Sequence, residues 1–453
     1  MISSPRRLLV LDDDPTGSQC VSGIAVAFEE DAELLHQTLA EPSTSCFVLT
    51  NTRALDETDA VEKNQRILRG VIKRFKSAGV STAETGLHLV SRSDSTLRGH
   101  VIAEPNALAD VLAEEGVAVD AFIFAPAMLE AGRYTENNVH YALVDGEARK
   151  VEDTDFAQDA TFGYSHSNLP EFLEEVSGGS VVADSVLCLS LGDIRAGVSR
   201  VVELLRETSE RQWVVVNATE YSDMETVADA ITQLEGEGKV FITRCGPSFV
   251  RPLAGQHSAR VLDAEDIKVN PERLPHGLVV VGSHVGLTTQ QLAEVQRRSG
   301  LSEHELNVEK LLSPERSQHI EEVAAAVRSA LNDADAVVYT SRQLVSTDDP
   351  AESLAIARSV SDAVVEVVQK TRTARPAWVV AKGGITSHEV AHRGLGIRLA
   401  EVAGQFFTGQ ISLFSPLEAP EEVLDAPYVV FPGNVGGREA LADVIERLKE
   451  ASR

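Results

Sequence analysis

Three consecutive carboxylates, Asp12, Asp13 and Asp14, stand near the start of the chain. They follow an apolar run at residues 8–11, so a buried strand would end where they begin. Adjacent carboxylates repel one another, and a metal ion or a hydroxyl group to be deprotonated would make use of their charge. The alternative is that one Asp caps the next helix while the others face water. The crowding of charge at a strand end favours a functional site.

Arg53, Asp94, Ser95 and Arg98 follow the second and third apolar runs in the same manner. A guanidinium can bind a carboxylate through two hydrogen bonds, and a carboxylate such as Asp94 can accept a proton from a substrate hydroxyl. Either arginine alone is more commonly a surface ion-pair partner. Because parallel strands end at one edge of a sheet, the coincidence of these residues predicts a shared polar crevice.

The segments at 126–128 and 132–135 follow a fourth apolar run and could extend that crevice, although a loop that only closes the domain would look the same. In the C-terminal half, glycine turns at 281–288, 383–387 and 431–437 each join an apolar run to the start of a predicted helix. Such turns present backbone N–H groups and helix dipoles to anions. The Walker-type phosphate loop is absent from the sequence.

His388, Glu389 and His392 form an HExxH pattern, which on a helix would place two imidazoles on one face of a zinc ion. The longer zinc-protease pattern fails, because Leu395 and Arg398 occupy its glycine and third histidine positions. A zinc-dependent hydrolase is therefore an alternative interpretation.

Alternating apolar runs and amphipathic stretches predict the elements that position these residues. In the first part of the chain the predicted strands are 7–11, 45–50, 87–90, 121–124, 185–189, 213–217 and 240–243. The predicted helices include 56–78, 102–115 and 194–209. Residues 141–179 are polar, broken by Gly and Pro, and predicted to be rich in loops. Strand–helix alternation of this kind indicates parallel strands flanked by helices.

A second block follows a stretch that contains several prolines. Its predicted strands are 277–281, 336–339, 378–380 and 428–431, and its predicted helices are 288–299, 314–330, 351–373 and 388–395. We therefore expect two α/β domains, residues 1–270 and 271–453, each with a mainly parallel sheet flanked by helices. The active site is expected in the cleft between them.

The composition narrows the class of protein. A chain of 453 residues is long enough for two domains. Its formal net charge of −28 argues against a general nucleic-acid binder. No apolar run is long enough to span a membrane, and the four cysteines are scattered, so we expect reduced thiols in a cytoplasmic protein.

Taken in order, these segments resemble the four-carbon acid sugar kinases, long catalogued as a domain of unknown function. The resemblance covers nearly the whole chain and rests on ordered motifs: Asp-Asp-Asp-Pro-Thr-Gly (12–17), Asn-Thr-Arg (51–53), Asp-Ser-Thr-Leu-Arg-Gly (94–99), Pro-Ala (126–127) with Gly-Arg (132–133), Gly-Ser (282–283), Gly-Gly (383–384) and Gly-Asn (433–434). Members of that family use ATP to phosphorylate acids such as 3-oxo-tetronate, threonate or erythronate in carbohydrate catabolism.

The resemblance implies an N-terminal domain that holds the sugar acid and a C-terminal domain that holds ATP. The implied sugar-acid contacts are Asp13, Asp14, Arg53, Asp94, Ser95 and Arg98. The implied nucleotide contacts are Ser283, Gly383, Gly384, Ile385, Thr386 and Gly433. Two departures stand out: Ile385 replaces an acidic residue, and Phe431-Pro432 replaces Lys-Ser. Lys382, just before the glycine pair, could supply the missing positive charge.

The working hypothesis is phosphoryl transfer from Mg-ATP to a hydroxyl of a small sugar acid. Arg53 and Arg98 would orient the acid, Asp94 or Asp13 would accept the proton, and Asp12 or Asp14 would help to hold Mg²⁺. Besides the zinc hydrolase, a protein that binds nucleotide and sugar acid without turnover is an alternative. The oligomeric state is left open, with a homodimer as one option, and neither a nucleic acid nor a membrane is an expected partner.

Overall fold

The computed structural model describes residues 6–14, 16–144, 146–282, 285–342, 350–433 and 435–452. The chain divides into two compact units, Met1–Ala259 and Arg260–Arg453. The expected α/β class, with mainly parallel strands flanked by helices, is confirmed. The predicted domain limits at 270 and 271 and the predicted cleft stay predictions.

The first unit contains a parallel sheet whose strand order is β2-β3-β1-β4-β11-β5-β10-β9. Its strands are β1 (Arg7–Asp12), β2 (Ala25–Ala27), β3 (Ser45–Leu49), β4 (Leu87–Arg92), β5 (Ala121–Ala125), β9 (Leu187–Leu189), β10 (Gln212–Val216) and β11 (Phe241–Cys245). Every residue of β1 is buried, as expected for a central parallel strand that helices cover on both faces. The apolar run at residues 8–11 had indicated that this strand is buried.

The helices of the first unit are α1 (Ala32–Thr38), α2 (Glu57–Ser77), α3 (Ala103–Glu114), α4 (Leu169–Val176), α5 (Leu191–Arg195), α6 (Val198–Arg206), α7 (Tyr221–Glu235) and α8 (Pro247–Leu253). The single helix predicted at 194–209 is wrong. Gly197 has a φ of 107°, which a helix does not accommodate, and it separates α5 from α6.

A small antiparallel sheet of β6 (Arg133–Glu136), β7 (Val139–Val144) and β8 (Glu147–Lys150) lies in the segment after β5. Together with α4, the strands β7 and β8 occupy part of residues 141–179. The rest of the described segment consists of short 3₁₀ helices, turns and irregular chain, in line with the prediction that it is rich in loops. The strand β8 is exposed along its whole length, so it carries no alternation of apolar and polar residues for sequence reasoning to detect.

The second unit has parallel strands in the order β13-β14-β12-β15-β18, continued by the antiparallel strands β17 and β16. Their bounds are β12 (Leu278–Val281), β13 (Ser302–Leu306), β14 (Ala336–Thr340), β15 (Val379–Lys382), β16 (Leu399–Phe407), β17 (Gln410–Glu418) and β18 (Tyr428–Phe431). The sequence prediction missed β13 and the long β16–β17 hairpin. The strand β13 has a single apolar residue, Leu306, and the hairpin mixes polar and apolar residues instead of forming apolar runs.

The helices of this unit are α9 (Gly286–Ser299), α10 (Val308–Leu311), α11 (Arg316–Ala330), α12 (Pro350–Thr371), α13 (Gly384–Glu389) and α14 (Ala440–Ala451). A π-helical turn, Val390–Leu395, continues α13, so the predicted helix at 388–395 is only partly α-helical. None of the helices in the described part of the chain is both long and apolar enough to cross a bilayer.

Candidate active site

The register of the first sheet brings the predicted polar segments to one edge. In β1, Asp12 lies opposite Leu49 of β3 and Arg92 of β4. Arg92 in turn lies opposite Cys245 of β11. All these strands are parallel, so the residues that follow them leave the sheet on the same side. The predicted segments therefore meet at one edge of the sheet, and their role as a substrate crevice stays a prediction.

Arg53 joins Asp13 and Asp14 at this edge. Its Nη2 lies 2.5 Å from Asp13 Oδ1, and its Nη1 lies 3.1 Å from Asp14 Oδ2. Asn51 begins the turn with a φ of 52°, a left-handed conformation that asparagine tolerates. Burial acts to lower the pKa of Arg53, but the charges of Asp13, Asp14 and Asp94 hold it well above its ordinary value. Arg53 is thus a permanent cation at the centre of the site.

Asp94 forms a second ion pair on the loop after β4. Its Oδ2 accepts a hydrogen bond of 2.7 Å from Arg98 Nε and another from the Thr96 hydroxyl. Burial acts to raise the pKa of Asp94, but Arg53, Arg98 and these hydrogen bonds lower it to about 2. Leu97 has a φ of 69°, an unfavourable conformation for leucine, so this loop stores strain next to Asp94.

Asp12 behaves differently from its neighbours. Its Oδ1 accepts a hydrogen bond of 2.6 Å from Arg92, while its Oδ2 is buried without a hydrogen-bond partner among the described residues. A Cβ on Gly17 would lie 1.6 Å from that Oδ2, so the turn closes tightly over the carboxylate. Burial raises the pKa of Asp12 to about 7.

This enclosure fits a magnesium ligand poorly. Mg²⁺ is held by accessible carboxylate oxygens together with water and substrate phosphates. Asp12 forms a buried ion pair with Arg92, and Asp14 forms an ion pair with Arg53. The described residues also include no group of three or more His, Cys, Asp or Glu side chains placed to hold a metal. The assignment of Mg²⁺ to Asp12 and Asp14 stays a prediction.

Arg133, at the start of β6, is a site residue that the sequence indicated only as part of a segment that could extend the crevice. Its Nη1 donates a hydrogen bond of 2.8 Å to Ser95 Oγ, and its guanidinium lies 5.3 Å from the centre of the Phe156 ring. Arg98 lies 5.4 Å from the same ring. Within the described residues Arg133 has no carboxylate partner at salt-bridge distance, so its charge is available to an anion.

Arg244 and Glu104 form a buried ion pair next to the site, and no pattern in the sequence indicated either residue. Arg244 Nη1 donates to Ser91 Oγ and Glu104, and its Nη2 lies 2.6 Å from Ser93 Oγ. Ser93 Oγ in turn donates to Asp13 Oδ2 at 2.7 Å. Arg244 is placed inside an apolar strand pattern, where its sequence context resembles core.

The second unit presents a different kind of edge. In the sheet, Lys382 lies opposite Val281 of β12 and Phe431 of β18, so the turns after these strands leave the sheet together. Gly383 has a φ of 123°, and its N–H donates to Phe431 O at 2.8 Å. A Cβ on Gly282 would lie 2.3 Å from Thr386 Oγ1, which requires glycine there. The predicted contact Ser283 lies outside the described residues.

An apolar cavity of about 280 Å³ adjoins these turns. Its walls come from α10, α12, α13 and the strand ends of β12 and β14, and they include Val308, Ile356, Val360, Val364, Ile385 and Thr386. Its volume is near the lower end of small-molecule sites, roughly 300–1,000 Å³. Of the predicted nucleotide contacts, Ile385 and Thr386 line this cavity, whereas Gly383 and Gly433 belong to the turns beside it.

Two family models match consecutive parts of the chain, one in each compact unit. A family model described as "Sugar-binding N-terminal domain" matches residues 8–253. A second model, described as "Nucleotide-binding C-terminal domain", matches residues 278–441. The chain belongs to the four-carbon acid sugar kinase family.

A curated relative, the D-erythronate kinase of Heliobacterium modesticaldum, is 29% identical over 245 residues. That alignment covers 53% of this chain and 50% of the relative, so the chain matches about half the length of that kinase. A solved Haemophilus influenzae protein of the DUF1537 family is similar in fold, with a TM-score of 0.64 and 16% identity over 96% of this chain and 98% of that one. A Salmonella typhimurium LT2 protein has a TM-score of 0.67 and 14% identity over 97% and 98%.

The HExxH segment does not form a zinc site among the residues that are described. The rings of His388 and His392 lie 5.9 Å apart, centre to centre, and His392 belongs to the π-helical turn. Glu389, the residue that would act as base, pairs with Arg393 at 2.7 Å. The described residues include no group of three or more His, Cys, Asp or Glu side chains placed to hold a metal, so this segment gives the zinc-hydrolase interpretation no support.

Proposed function

We propose that this protein transfers a phosphoryl group from ATP to a hydroxyl of a four-carbon sugar acid such as erythronate, threonate or 3-oxo-tetronate. The observation that supports this most strongly is that two ion pairs, Arg53–Asp13 and Arg98–Asp94, lie at one sheet edge. Arg133, hydrogen-bonded to Ser95, adds a further cation there. The guanidinium groups could bind the carboxylate of a ligand, and the aspartates could accept hydrogen bonds from its hydroxyl groups. A small polyhydroxy acid carries both groups.

The arginines would bind and orient the acid. Arg98 and Arg133 adjoin the same aromatic ring, and Asp94 acts electrostatically on both Arg53 and Arg133. A substrate carboxylate near Arg133 would therefore place its hydroxyl groups within the neighbourhood of Asp94 and Asp13. Ser95, which already bonds to Arg133, would provide a further polar contact.

Asp94 or Asp13 would hold the hydroxyl that attacks. A carboxyl with a pKa of about 2 is a weak base, but phosphoryl transfer proceeds through a loose transition state in which positioning matters more than early deprotonation. An ionised Asp94 can accept the hydroxyl hydrogen bond throughout the reaction and take the proton late. Its ionised state at neutral pH is secured by Arg53 and Arg98.

The second unit would hold ATP, the expected cofactor. The apolar cavity beside Ile385 and Thr386 suits a purine ring, which is flat and mostly apolar. The turns at Gly383 and Gly433 would receive the phosphates through backbone N–H groups, as turns that precede helices can. The oligomeric state, including a homodimer, stays a prediction.

The test is a screen of four-carbon sugar acids with ATP and MgCl₂, in which release of ADP is coupled to a spectroscopic signal. We expect ADP release with at least one sugar acid and none above background with erythritol, the neutral polyol. Binding of nucleotide and sugar acid without ADP release would instead support a binding protein without turnover, which the departures at Ile385 and Pro432 make worth testing. Zinc found in the purified protein, and lost in His388→Ala, would support the hydrolase.

A further inference from the structure

Lys382, the last residue of β15, is buried completely in the second unit. Its Nζ donates hydrogen bonds to the carbonyl oxygens of Pro432, at 2.6 Å, and Gly433, at 3.1 Å. The ammonium group also lies 4.0 Å from the centre of the Phe431 ring. Lys382 therefore connects the turn after β15 to the turn after β18.

The charge of Lys382 is not neutralised by the described protein. No carboxylate of the described residues lies within salt-bridge distance of it, and burial alone accounts for the shift of its pKa; His284 lies outside that set. Other lysines of the unit have such partners, for example Lys449 with Asp335 at 3.0 Å. A buried cation without a counter-charge is costly, and burial lowers the pKa of Lys382 to about 7.

Lys382 lies opposite Phe431, the last residue of the neighbouring strand β18. Its ammonium group therefore reaches the turn that follows β18, where it bonds to Pro432 and Gly433. A negatively charged ligand bound at this turn would offset the free-energy cost of burying the Lys382 ammonium group.

We propose that Lys382 positions the Pro432–Gly433 turn and supplies the positive charge that receives the phosphates of the nucleotide. This inference rests on the proposed nucleotide site of the second unit, and not on the identity of the sugar acid. A purely structural alternative exists, in which Lys382 only clamps two carbonyl groups. The two roles differ in their dependence on ligand charge.

The charge-dependent role is tested by calorimetric binding of ATP, ADP and adenosine to the full chain, without sugar acid. In Lys382→Met, ATP affinity should fall by at least tenfold while adenosine affinity stays within about twofold. Lys382→Arg, which keeps the charge, should retain the preference of the wild type for ATP over adenosine. Lys268→Met, a change at an exposed lysine of the same unit, should leave all three affinities unchanged.

Proton linkage gives a second readout that needs no variant. Near pH 8 the free amine of Lys382 is mostly neutral, and bound phosphates would raise its pKa, so ATP binding should take up a proton. ATP affinity should accordingly weaken as pH rises above about 7, and binding heats should depend on the ionisation enthalpy of the buffer. The uptake should vanish in Lys382→Met.

Three results would overturn the inference. Equal losses for ATP and adenosine in Lys382→Met would mean a structural clamp. Unchanged ATP affinity in that variant would remove the charge role. Failure of the wild type to bind ATP at all would overturn both this inference and the nucleotide half of the proposed function, whereas ATP binding without sugar-acid turnover would affect the proposed function alone.

Discussion

In the first unit, the edge of the sheet carries side chains of both charges, already paired with each other; in the second, the corresponding edge carries glycine turns, an apolar cavity and one buried lysine. Arg53 contacts two aspartates, and Arg98 contacts Asp94. Lys382 contacts only carbonyl oxygens and a ring among the described residues. In the first unit most of these charges are matched within the protein, whereas in the second unit the charge of Lys382 has no carboxylate partner among the described residues.

The contrast has a chemical reason. A small sugar acid offers several polar groups at fixed distances, so recognition needs many oriented side chains. A nucleotide offers a flat ring and a string of phosphates, for which an apolar cavity and backbone N–H groups suffice. Each unit is thus suited to a different kind of ligand.

The largest effect should come from Asp94→Asn in the first unit. The amide cannot take the hydroxyl proton, so turnover should fall by roughly 10²–10⁴-fold. The coupled ADP assay measures it. Asp229→Asn, at an exposed position of α7, is the matched control and should keep wild-type turnover. Unchanged turnover in Asp94→Asn would leave Asp13 as the acceptor.

Arg133→Gln should mainly weaken binding of the acid. Losing a charge-assisted contact to a carboxylate should raise KM for the sugar acid by roughly 10–100-fold, with kcat within a few-fold. Steady-state kinetics with varied acid and saturating ATP separate the two parameters. Arg149→Gln, on the exposed strand β8, makes the same charge change away from the site and should have no effect. A fall in kcat at constant KM would show instead that Arg133 only supports Ser95.

The ion pairs of the first unit should also be visible in acid stability. The pKa of Asp94 is lowered from 3.8 to about 2, so its ionised form stabilises the fold above about pH 4, and that contribution is lost as pH falls toward 2. It amounts to about 2 kcal/mol. Urea unfolding of the wild type and Asp94→Asn should therefore show a stability difference near pH 5 that shrinks near pH 2. A difference independent of pH would contradict this assignment.

The smallest effect should come from narrowing the cavity of the second unit. Ala357→Leu adds apolar volume to a lining position on α12, so KM for ATP should rise roughly three- to tenfold with KM for the acid unchanged. Ala355→Leu, at an exposed position of the same helix outside the lining, is the control. If both variants changed KM for ATP equally, the cavity would not be the purine site.

Sequence reasoning worked best where burial leaves a strong pattern. The strands β1, β3 and β4 are apolar because helices cover both faces, and their ends predicted that Asp13, Arg53 and Asp94 would share one edge. It failed where no continuous apolar run marks the strand. The strand β8 is exposed along its whole length, and the hairpin β16–β17 mixes polar residues with buried apolar ones.

The amino-acid sequence by itself determined the α/β class, the strand ends and the set of charged residues gathered there, because apolar runs, glycines and turn residues act locally. Only the tertiary structure decided which charged residues form ion pairs. Asp12 pairs with Arg92 and Asp13 pairs with Arg53, although the two carboxylates are neighbours in the chain. Arg244 and Lys382 acquire their roles from strands distant in sequence, because electrostatic interactions depend on separation in space and on burial.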